Sequence, residues 1–176
     1  DFIIANSNFT KNLAIKIGIN PKKINIIFPG IYKPQKIENI FMVKANAIFE
    51  NSFPKVITVS RMDKRKGHDK ILMTIKNLKQ IFPKIKYVSI GSGDEEKSLL
   101  KLVKELNLEK ETTFLNNVTQ NLKNALVAES NLFLMPSRIE KKSVEGFGIS
   151  FVEAASYGVA SIGGKDGGGS DAIKHK

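Results

Sequence analysis

The sequence has no cysteine among its 176 residues. This absence excludes a disulfide scaffold, a thiolate metal site and a cysteine nucleophile, and it fits a reducing compartment such as the cytoplasm. Tryptophan is also absent, and two histidines are too few to favour a histidine metal site. No apolar run approaches the roughly 18 residues that span a bilayer, and the sequence does not open with a basic n-region followed by an apolar h-region. With 41% hydrophobic and 26% charged residues, the chain is expected to fold as a soluble domain.

Arginine is scarce, although the net charge is +11. The basic residues are mainly lysines, scattered through every segment, whereas nucleic-acid readers usually cluster arginine with aromatic residues. Nucleic acid is therefore not the predicted partner. An anionic small ligand explains the charge, and so does peripheral contact with an anionic membrane at the inner face.

Short apolar runs alternate with segments of helical period, which predicts an α/β fold with a Rossmann-like, doubly wound parallel sheet. The predicted strands are residues 2–5, 24–28, 55–60, 85–91, 113–115, 132–135 and 159–162. The predicted helices are residues 10–17, 69–81, 95–106, 121–128 and 149–157.

The proline-containing stretch 34–53 is interpreted as a linker. Residues 1–33 are too few to bury a core alone, so we expect them to end a preceding domain. We expect residues 54–176 to form one doubly wound unit that is truncated at its C-terminus. Because the first residue is Asp1 rather than Met, we expect the chain to be a fragment.

Ligands of open α/β sheets lie outside the carboxyl ends of the strands, so the loops that leave the strands are the most informative. The first such loop carries Arg61 at the strand end and Lys66 just before a helix. A guanidinium fork and an ammonium that converge on one anion suit a diphosphate. The alternative is a solvated basic loop with Asp69 as an ordinary cap. His68 is interpreted as a loop or capping residue rather than a base.

The second loop contains Gly91 and Gly93 between a strand and a helix, where the backbone could approach a ligand closely. A dinucleotide fingerprint would need a third glycine where Glu96 stands, which disfavours a nicotinamide or flavin cofactor. A simple turn explains this loop equally well.

The third loop places Glu145 before a helix that carries Glu153 eight positions later. Glycines 146 and 148 leave backbone N–H groups unshielded, which suits a phosphate flanked by sugars. Carboxylates that merely stabilise the helix N-terminus are the alternative. Arg138 adds a cation at this edge, and a fourth, glycine-rich loop runs from residue 163 to residue 171.

In this order the motifs S-R-x(4)-K-G, G-S-G-D, M-P-S-R, E-G-F-G-I-S-F-V-E-A and G-G-x(3)-G-G resemble the retaining GT-B glycosyltransferases of the group 1 family, especially its mannosyltransferase-like members. The resemblance covers nearly the whole chain. It implies that the chain is the C-terminal, donor-binding half of a GT-B fold and moves a hexosyl group from a nucleotide sugar to a glycan, a lipid-linked acceptor or a small acceptor.

The resemblance also implies residue roles. Arg61 and Lys66 would hold the donor diphosphate, assisted by the backbone of Phe147, Gly148 and Ile149. Glu145 would contact the transferred sugar and Glu153 the ribose. The base would be bordered by Gly91, Gly93 and Val118.

Family members of this kind need no cofactor or metal, and this sequence has no D-x-D pair to bridge a cation and a diphosphate. Asp171 stands where the family often has Glu. Glu140 is a second candidate for the leading acid, but the eight-residue spacing favours Glu145. A catalytically silent nucleotide-binding module and a basic nucleic-acid or membrane-surface domain remain alternatives, and the fragment alone is expected to be inactive.

Overall fold

The computed structural model describes residues 1–174, in which strands and helices alternate along the chain. The strands are β1 (Ile3–Ala5), β2 (Ile24–Ile26), β3 (Lys55–Val59), β4 (Lys86–Ile90), β5 (Thr112–Leu115), β6 (Leu132–Met135) and β7 (Ala160–Gly163). The α-helices are α1 (Asn8–Lys16), α2 (Asn39–Phe49), α3 (His68–Leu78), α4 (Glu96–Glu105), α5 (Gln120–Glu129), α6 (Ile149–Ser156) and α7 (Gly169–Ala172). Short 3₁₀ turns cover Pro21–Lys23 and Lys64–Lys66.

The main sheet has five parallel strands in the order β5-β4-β3-β6-β7. The chain moves outward from β3 to β5 and then returns to the other side of β3 with β6. The direction of winding therefore reverses between β3 and β6. In doubly wound sheets the crevice outside the carboxyl ends of two such strands is the usual ligand position.

Apolar side chains pack on both faces of this sheet. On one face, Phe49 of α2, Leu126 of α5 and Phe151 of α6 pack against Ile57 and Phe133 of the central strands. On the other face, helices α3 and α4 pack against neighbouring strand residues such as Val56 and Tyr87. Because Val56 and Ile57 are consecutive, their side chains point to opposite faces, as strand geometry requires. The predicted α/β, doubly wound class is confirmed.

Residues 1–26 form a separate two-stranded parallel sheet, β1-β2, connected by α1. The hydroxyl of Ser7 accepts a hydrogen bond from the backbone N–H of Thr10, and the Thr10 hydroxyl accepts one from the N–H of Ser7. This reciprocal capping fixes the start of α1.

The segment 34–53, whose sequence predicts a linker, contains helix α2, which the sequence does not predict. Ala45 and Phe49 of this helix are completely buried against the main sheet and α5, whereas Ile40 and Val43 are more than half exposed. Apolar residues on both faces weaken the amphipathic signal, so the buried face could not be recognised from spacing alone. The predicted domain boundaries remain a prediction.

All the strands and helices that the sequence predicts are present, with small shifts at their ends. Within residues 1–174, no helix combines the length and the apolar character that crossing a membrane requires.

Candidate functional site

Lys66 and Glu145 meet at the point where the sheet reverses its winding. Lys66 lies in the loop that follows β3, and Glu145 lies in the loop that follows β6. The Lys66 ammonium donates a hydrogen bond to Glu145 Oε2, and both side chains are almost fully buried. The structure thus joins two predicted site residues from distant parts of the sequence.

Arg65 contacts the same carboxylate oxygen, although the sequence analysis did not single it out. Its Nη1 lies 3.1 Å from Glu145 Oε2, and its side chain is 16% exposed. Its backbone carbonyl accepts a hydrogen bond of 2.8 Å from the N–H of Arg138. Arg65 therefore links the loop after β3 to the loop after β6 through both its side chain and its backbone.

The charges of this cluster alter the pKa values of its members. Burial alone would raise the pKa of Glu145, but hydrogen bonds and charge from Lys66 and Arg65 outweigh it, so the pKa is lower than usual. Burial lowers the pKa of Lys66; Glu145 offsets part of this shift, and the positive charge of Arg65 adds to it. Two cations share one carboxylate, so the cluster has an excess positive charge that suits an anionic ligand.

Arg61 forms its ion pair outside this cluster. Its guanidinium donates from Nε to Asp63 Oδ2 at 3.0 Å, and its side chain is 75% exposed. The predicted convergence of Arg61 and Lys66 on one anion is not formed in this structure, because each cation is paired with a different carboxylate. The short Arg61–Asp63 separation in sequence favours this local pair.

Arg138 and Glu140 form a second ionic group at the same edge. Arg138 donates from Nη1 to Asp69 at 2.8 Å, and its Nε lies 3.7 Å from Glu140. Glu140 also lies 3.9 Å from Lys64. Glu140, the alternative leading acid, thus contacts Arg138 and Lys64, whereas Glu145 contacts Lys66.

Gly91 and Gly93 allow the loop after β4 to pack against the loop after β3. A Cβ on Gly91 would lie 2.1 Å from the carbonyl oxygen of Ser60, and one on Gly93 would lie 2.6 Å from that of Met62. Both distances are far shorter than a real contact, so these positions need glycine for packing. The close approach that the sequence analysis reserved for a ligand is made here by protein backbone.

Helix α6 begins immediately after Gly148, whose φ of 88° is readily accessible only to glycine. Among residues 1–174, no side chain caps this helix start. The ring of Phe147 is buried and lies 5.8 Å from that of Phe28, while Ile149 is about half exposed. The first backbone N–H groups of α6 are therefore positioned by packing rather than by a cap.

Glu153 lies one turn further along α6 and accepts a hydrogen bond of 2.7 Å from Lys123 of α5. Together with Ile149 it lines a cavity of about 590 Å³ between α5, α6 and the segment 30–38. Lys66 and Glu145 are not among the lining residues. The structure thus places the two predicted glutamates at different positions around α6. Val118, just before α5, is half-buried against the adjacent core.

His68 lies in a buried chain of polar groups beneath the first loop. Its Nδ1 is 3.0 Å from the Tyr87 hydroxyl, and its Nε2 is 3.2 Å from the Ser60 hydroxyl. The Tyr87 hydroxyl donates to Thr58, whose hydroxyl donates to the Leu134 carbonyl, and His68 Nε2 also lies 3.3 Å from the Arg61 carbonyl oxygen. Burial lowers the pKa of His68 and raises that of Tyr87 to about 12.

Asp171 of the fourth loop accepts two hydrogen bonds from Asn8, one from its backbone N–H at 2.8 Å and one from its side chain at 2.9 Å. It therefore joins the glycine-rich fourth loop to the start of α1. Within residues 1–174, no group of three or more acidic or histidine side chains is arranged to hold a metal ion.

Sequence reasoning missed Arg65 and Lys123. Arg65 is adjacent to Lys66, and only the turn Lys64–Lys66 brings both side chains to one carboxylate. Lys123 is one of many lysines in a helix, and no local pattern distinguishes it. Neither residue could be selected as a site residue without knowing which loops and helices are neighbours.

Comparison with known proteins gives consistent similarities. Residues 42–176 match the family described as glycosyl transferases group 1. A GDP-mannose-dependent alpha-(1-6)-phosphatidylinositol monomannoside mannosyltransferase of Mycobacterium tuberculosis is 31% identical over 124 residues, which are 69% of this chain and 32% of that protein. A glycogen synthase of Elusimicrobium minutum is 35% identical over 125 residues, 70% of this chain and 24% of that protein. The chain thus spans about a third or less of these two relatives.

Two solved structures align with 99% of this chain, and the aligned part is 47% of the chain in each of them. Anabaena Alr3699/HepE in complex with UDP and glucose has a TM-score of 0.83 at 23% identity. A glycosyltransferase from Rickettsia africae has a TM-score of 0.84 at 21% identity. These two likenesses show the fold.

Proposed function

The chain belongs to the group 1 family of glycosyltransferases, with a GT-B type of fold, and from this premise we propose that it binds a nucleotide sugar at the carboxyl edge of the five-stranded sheet. In this proposal the bound donor gives up its hexosyl group, with retention at the reacting carbon, to a glycan, glycolipid or small acceptor. The chain supplies the donor-binding part of that reaction, residues 54–176 being the donor-binding unit.

The observation that carries the proposal is the buried contact between Lys66 and Glu145 at the winding reversal. An ammonium suits the donor diphosphate, and a carboxylate suits the hydroxyl groups of the adjoining sugar. Both groups are needed within one donor-sized space, since the diphosphate and the sugar are covalently joined. Here they come from the loops after β3 and β6, where ligands of doubly wound sheets bind.

Lys66 in this proposal exchanges its contact with Glu145 for the diphosphate and stabilises the charge that develops on the leaving nucleotide. Arg61 is exposed, so its guanidinium can leave Asp63 and reach the same phosphates. The free N–H groups at the start of α6, near Phe147, Gly148 and Ile149, add favourable dipoles. The site thus supplies positive charge without a metal ion.

Glu153 in this proposal accepts hydrogen bonds from the ribose hydroxyls. Its position in the 590 Å³ cavity supports this role, because a nucleoside needs a concave space next to the phosphates. Gly91, Gly93 and Val118 would border the base. Arg138, held by Asp69, adds positive charge near the donor.

The acceptor is proposed to be a glycan or a lipid-linked glycan. The name of the mycobacterial relative includes a phosphatidylinositol mannoside, which supports a lipid-linked acceptor and peripheral contact with an anionic membrane at its cytoplasmic face. The net charge of +11 is compatible with such contact.

Calorimetry with UDP, GDP, UMP and GMP tests the donor site. We expect the diphosphate of at least one base to bind about tenfold or more tightly than its monophosphate, because Lys66 and Arg61 are assigned to the diphosphate. Addition of EDTA should leave this binding unchanged. Equal affinities for mono- and diphosphates, or loss of binding in EDTA, would contradict the proposed site.

A further inference from the structure

Arg65 is placed to hold Glu145 after Lys66 has turned to a ligand. Lys66 and Arg65 both contact Oε2 of Glu145. Among the described residues, none donates a hydrogen bond to Oε1 of this carboxylate. One oxygen is thus held by the protein, and the other retains its capacity to accept from a hydroxyl group.

The two cations differ in their side chains, although the backbones of both are held, since the Lys66 N–H donates to the Asp63 carbonyl at 2.9 Å. Arg65 is fixed at its backbone, because its carbonyl accepts the N–H of Arg138 in the loop after β6. Lys66 is a point charge on a flexible stem, and its ammonium also approaches the sulfur of Met135 at 3.5 Å, which is a weak partner. Lys66 is therefore the cation that can move toward a phosphate at lower cost.

A carboxylate buried to this extent is unstable as an ion without a cation nearby. If Lys66 were the only partner, its departure to a diphosphate would leave Glu145 unpaired. Arg65, at 3.1 Å, removes this conflict. It keeps Glu145 charged and oriented while Lys66 contacts the donor.

We infer that Arg65 is a positioning residue for donor-sugar recognition: it holds Glu145 Oε2 so that Oε1 can accept from a hydroxyl of the transferred sugar while Lys66 binds the diphosphate. This inference rests on the proposed nucleotide-sugar site. It assigns Arg65 to recognition of the sugar and not to binding of the phosphates, which separates it from Arg61 and Lys66.

The test compares binding of a free nucleoside diphosphate with binding of the matching nucleotide sugar, either UDP with UDP-glucose or GDP with GDP-mannose. The variants are Arg65→Gln, Arg65→Lys and the control Lys64→Gln, which removes the preceding cation, 63% exposed, from the same turn. All are measured by calorimetry on the 176-residue chain, with melting curves to establish that each variant is folded at the titration temperature.

We expect Arg65→Gln to weaken binding of both ligands, because Lys66 can then reach the diphosphate only by leaving Glu145 unpaired. Binding of the nucleotide sugar should weaken about tenfold more than binding of the free diphosphate, because Glu145 also loses its orientation toward the sugar. Arg65→Lys should recover part of the lost affinity, and Lys64→Gln should bind both ligands like the unmodified chain. In the double variant Arg65→Gln, Glu145→Gln, the loss should equal that of Glu145→Gln alone, because both changes remove the same contact to the sugar.

An equal loss for both ligands would overturn the inference and place Arg65 on the phosphates, whereas no loss for either would show that Arg65 has only a structural role. Losses that add in the double variant would also contradict it. Failure of the unmodified chain to bind either ligand would instead refute the proposed function. If Arg65→Gln does not fold, Arg65→Lys decides the question, because lysine keeps the positive charge but not the planar fork of arginine. The role would then be rejected if Arg65→Lys changed the affinities for both ligands by the same factor and its loss added to that of Glu145→Gln in the double variant.

Discussion

Glu145 accepts a hydrogen bond from Lys66, although 79 positions separate the two residues in the chain. The contact exists because β6 returns to lie beside β3, which brings the loops that follow these strands together. Arg65 contacts the same carboxylate, so one buried anion serves two cations. This imbalance makes the partners unequal in their contribution to stability.

Replacement of the shared anion should therefore destabilise the fold more than replacement of one cation. Glu145→Gln leaves both cations without a countercharge and should lower the free energy of unfolding by roughly 3 kcal/mol. Lys66→Met leaves Glu145 paired with Arg65 and removes a buried ammonium, so it should cost about 1 kcal/mol.

Urea unfolding of the two variants beside the unmodified chain measures this difference. A cost for Lys66→Met that equals or exceeds that of Glu145→Gln would show that the carboxylate is not the shared centre of the cluster.

Gly91→Ala should destabilise the protein much more than Gly158→Ala. Both glycines have positive φ, but a Cβ on Gly91 would overlap the Ser60 carbonyl oxygen at 2.1 Å, whereas one on Gly158 would have no atom of the described residues within 4 Å. We expect roughly 1 to 2 kcal/mol for Gly158→Ala from backbone strain and roughly 2 to 5 kcal/mol for Gly91→Ala from strain and overlap. Thermal unfolding compares the two, and similar melting temperatures would contradict the close approach of the two loops.

Stability should fall as the pH is lowered through about 6.5, because of His68. Burial lowers the pKa of this histidine in the folded chain below its ordinary value of 6.5, so the unfolded chain binds the proton first. The stabilisation is complete above that ordinary pKa and is lost as the pH falls toward the folded value.

The matched variant is His68→Asn, whose side-chain amide can still form a hydrogen bond with Tyr87. Urea unfolding at about pH 7.5 and pH 5.5 should show a smaller decrease for this variant than for the unmodified chain. His175 lies outside the described residues and is present in both proteins, so it cancels from the comparison. Equal decreases would mean that His68 is not held neutral by the fold.

The fold class was predictable because β-branched strand residues and helix spacing are local signals. Helix α2 was not, since Ile40 and Val43 on its exposed face obscure the periodicity of the buried Ala45 and Phe49. Strand order is also non-local, and it decides which loops meet.

The candidate site shows the same limit. Lys66 and Glu145 could be selected by motif, but their direct contact depends on the neighbouring positions of β3 and β6. The pairing of Arg61 with Asp63, and the packing of Gly91 on Ser60, are likewise properties of folded loops. A motif indicates which residue types a ligand needs, whereas the protein partners of those residues in the free protein follow only from the three-dimensional structure.

The central claim is that Glu145 faces the transferred sugar and Glu153 the ribose, which assigns them to different parts of one nucleotide sugar. Calorimetric titration of Glu145→Gln and Glu153→Gln with a nucleoside diphosphate and its sugar derivative tests this most directly, at a temperature at which melting curves show both variants folded. Glu153→Gln should weaken both ligands by about 10- to 150-fold, the effect of losing hydrogen bonds to a charged acceptor. Glu145→Gln should weaken binding of the nucleotide sugar only. Binding of the free diphosphate should be unchanged or tighter, because Lys66 is released from its contact with the carboxylate. Identical binding profiles for the two variants would contradict the separate roles and the donor orientation on which they depend.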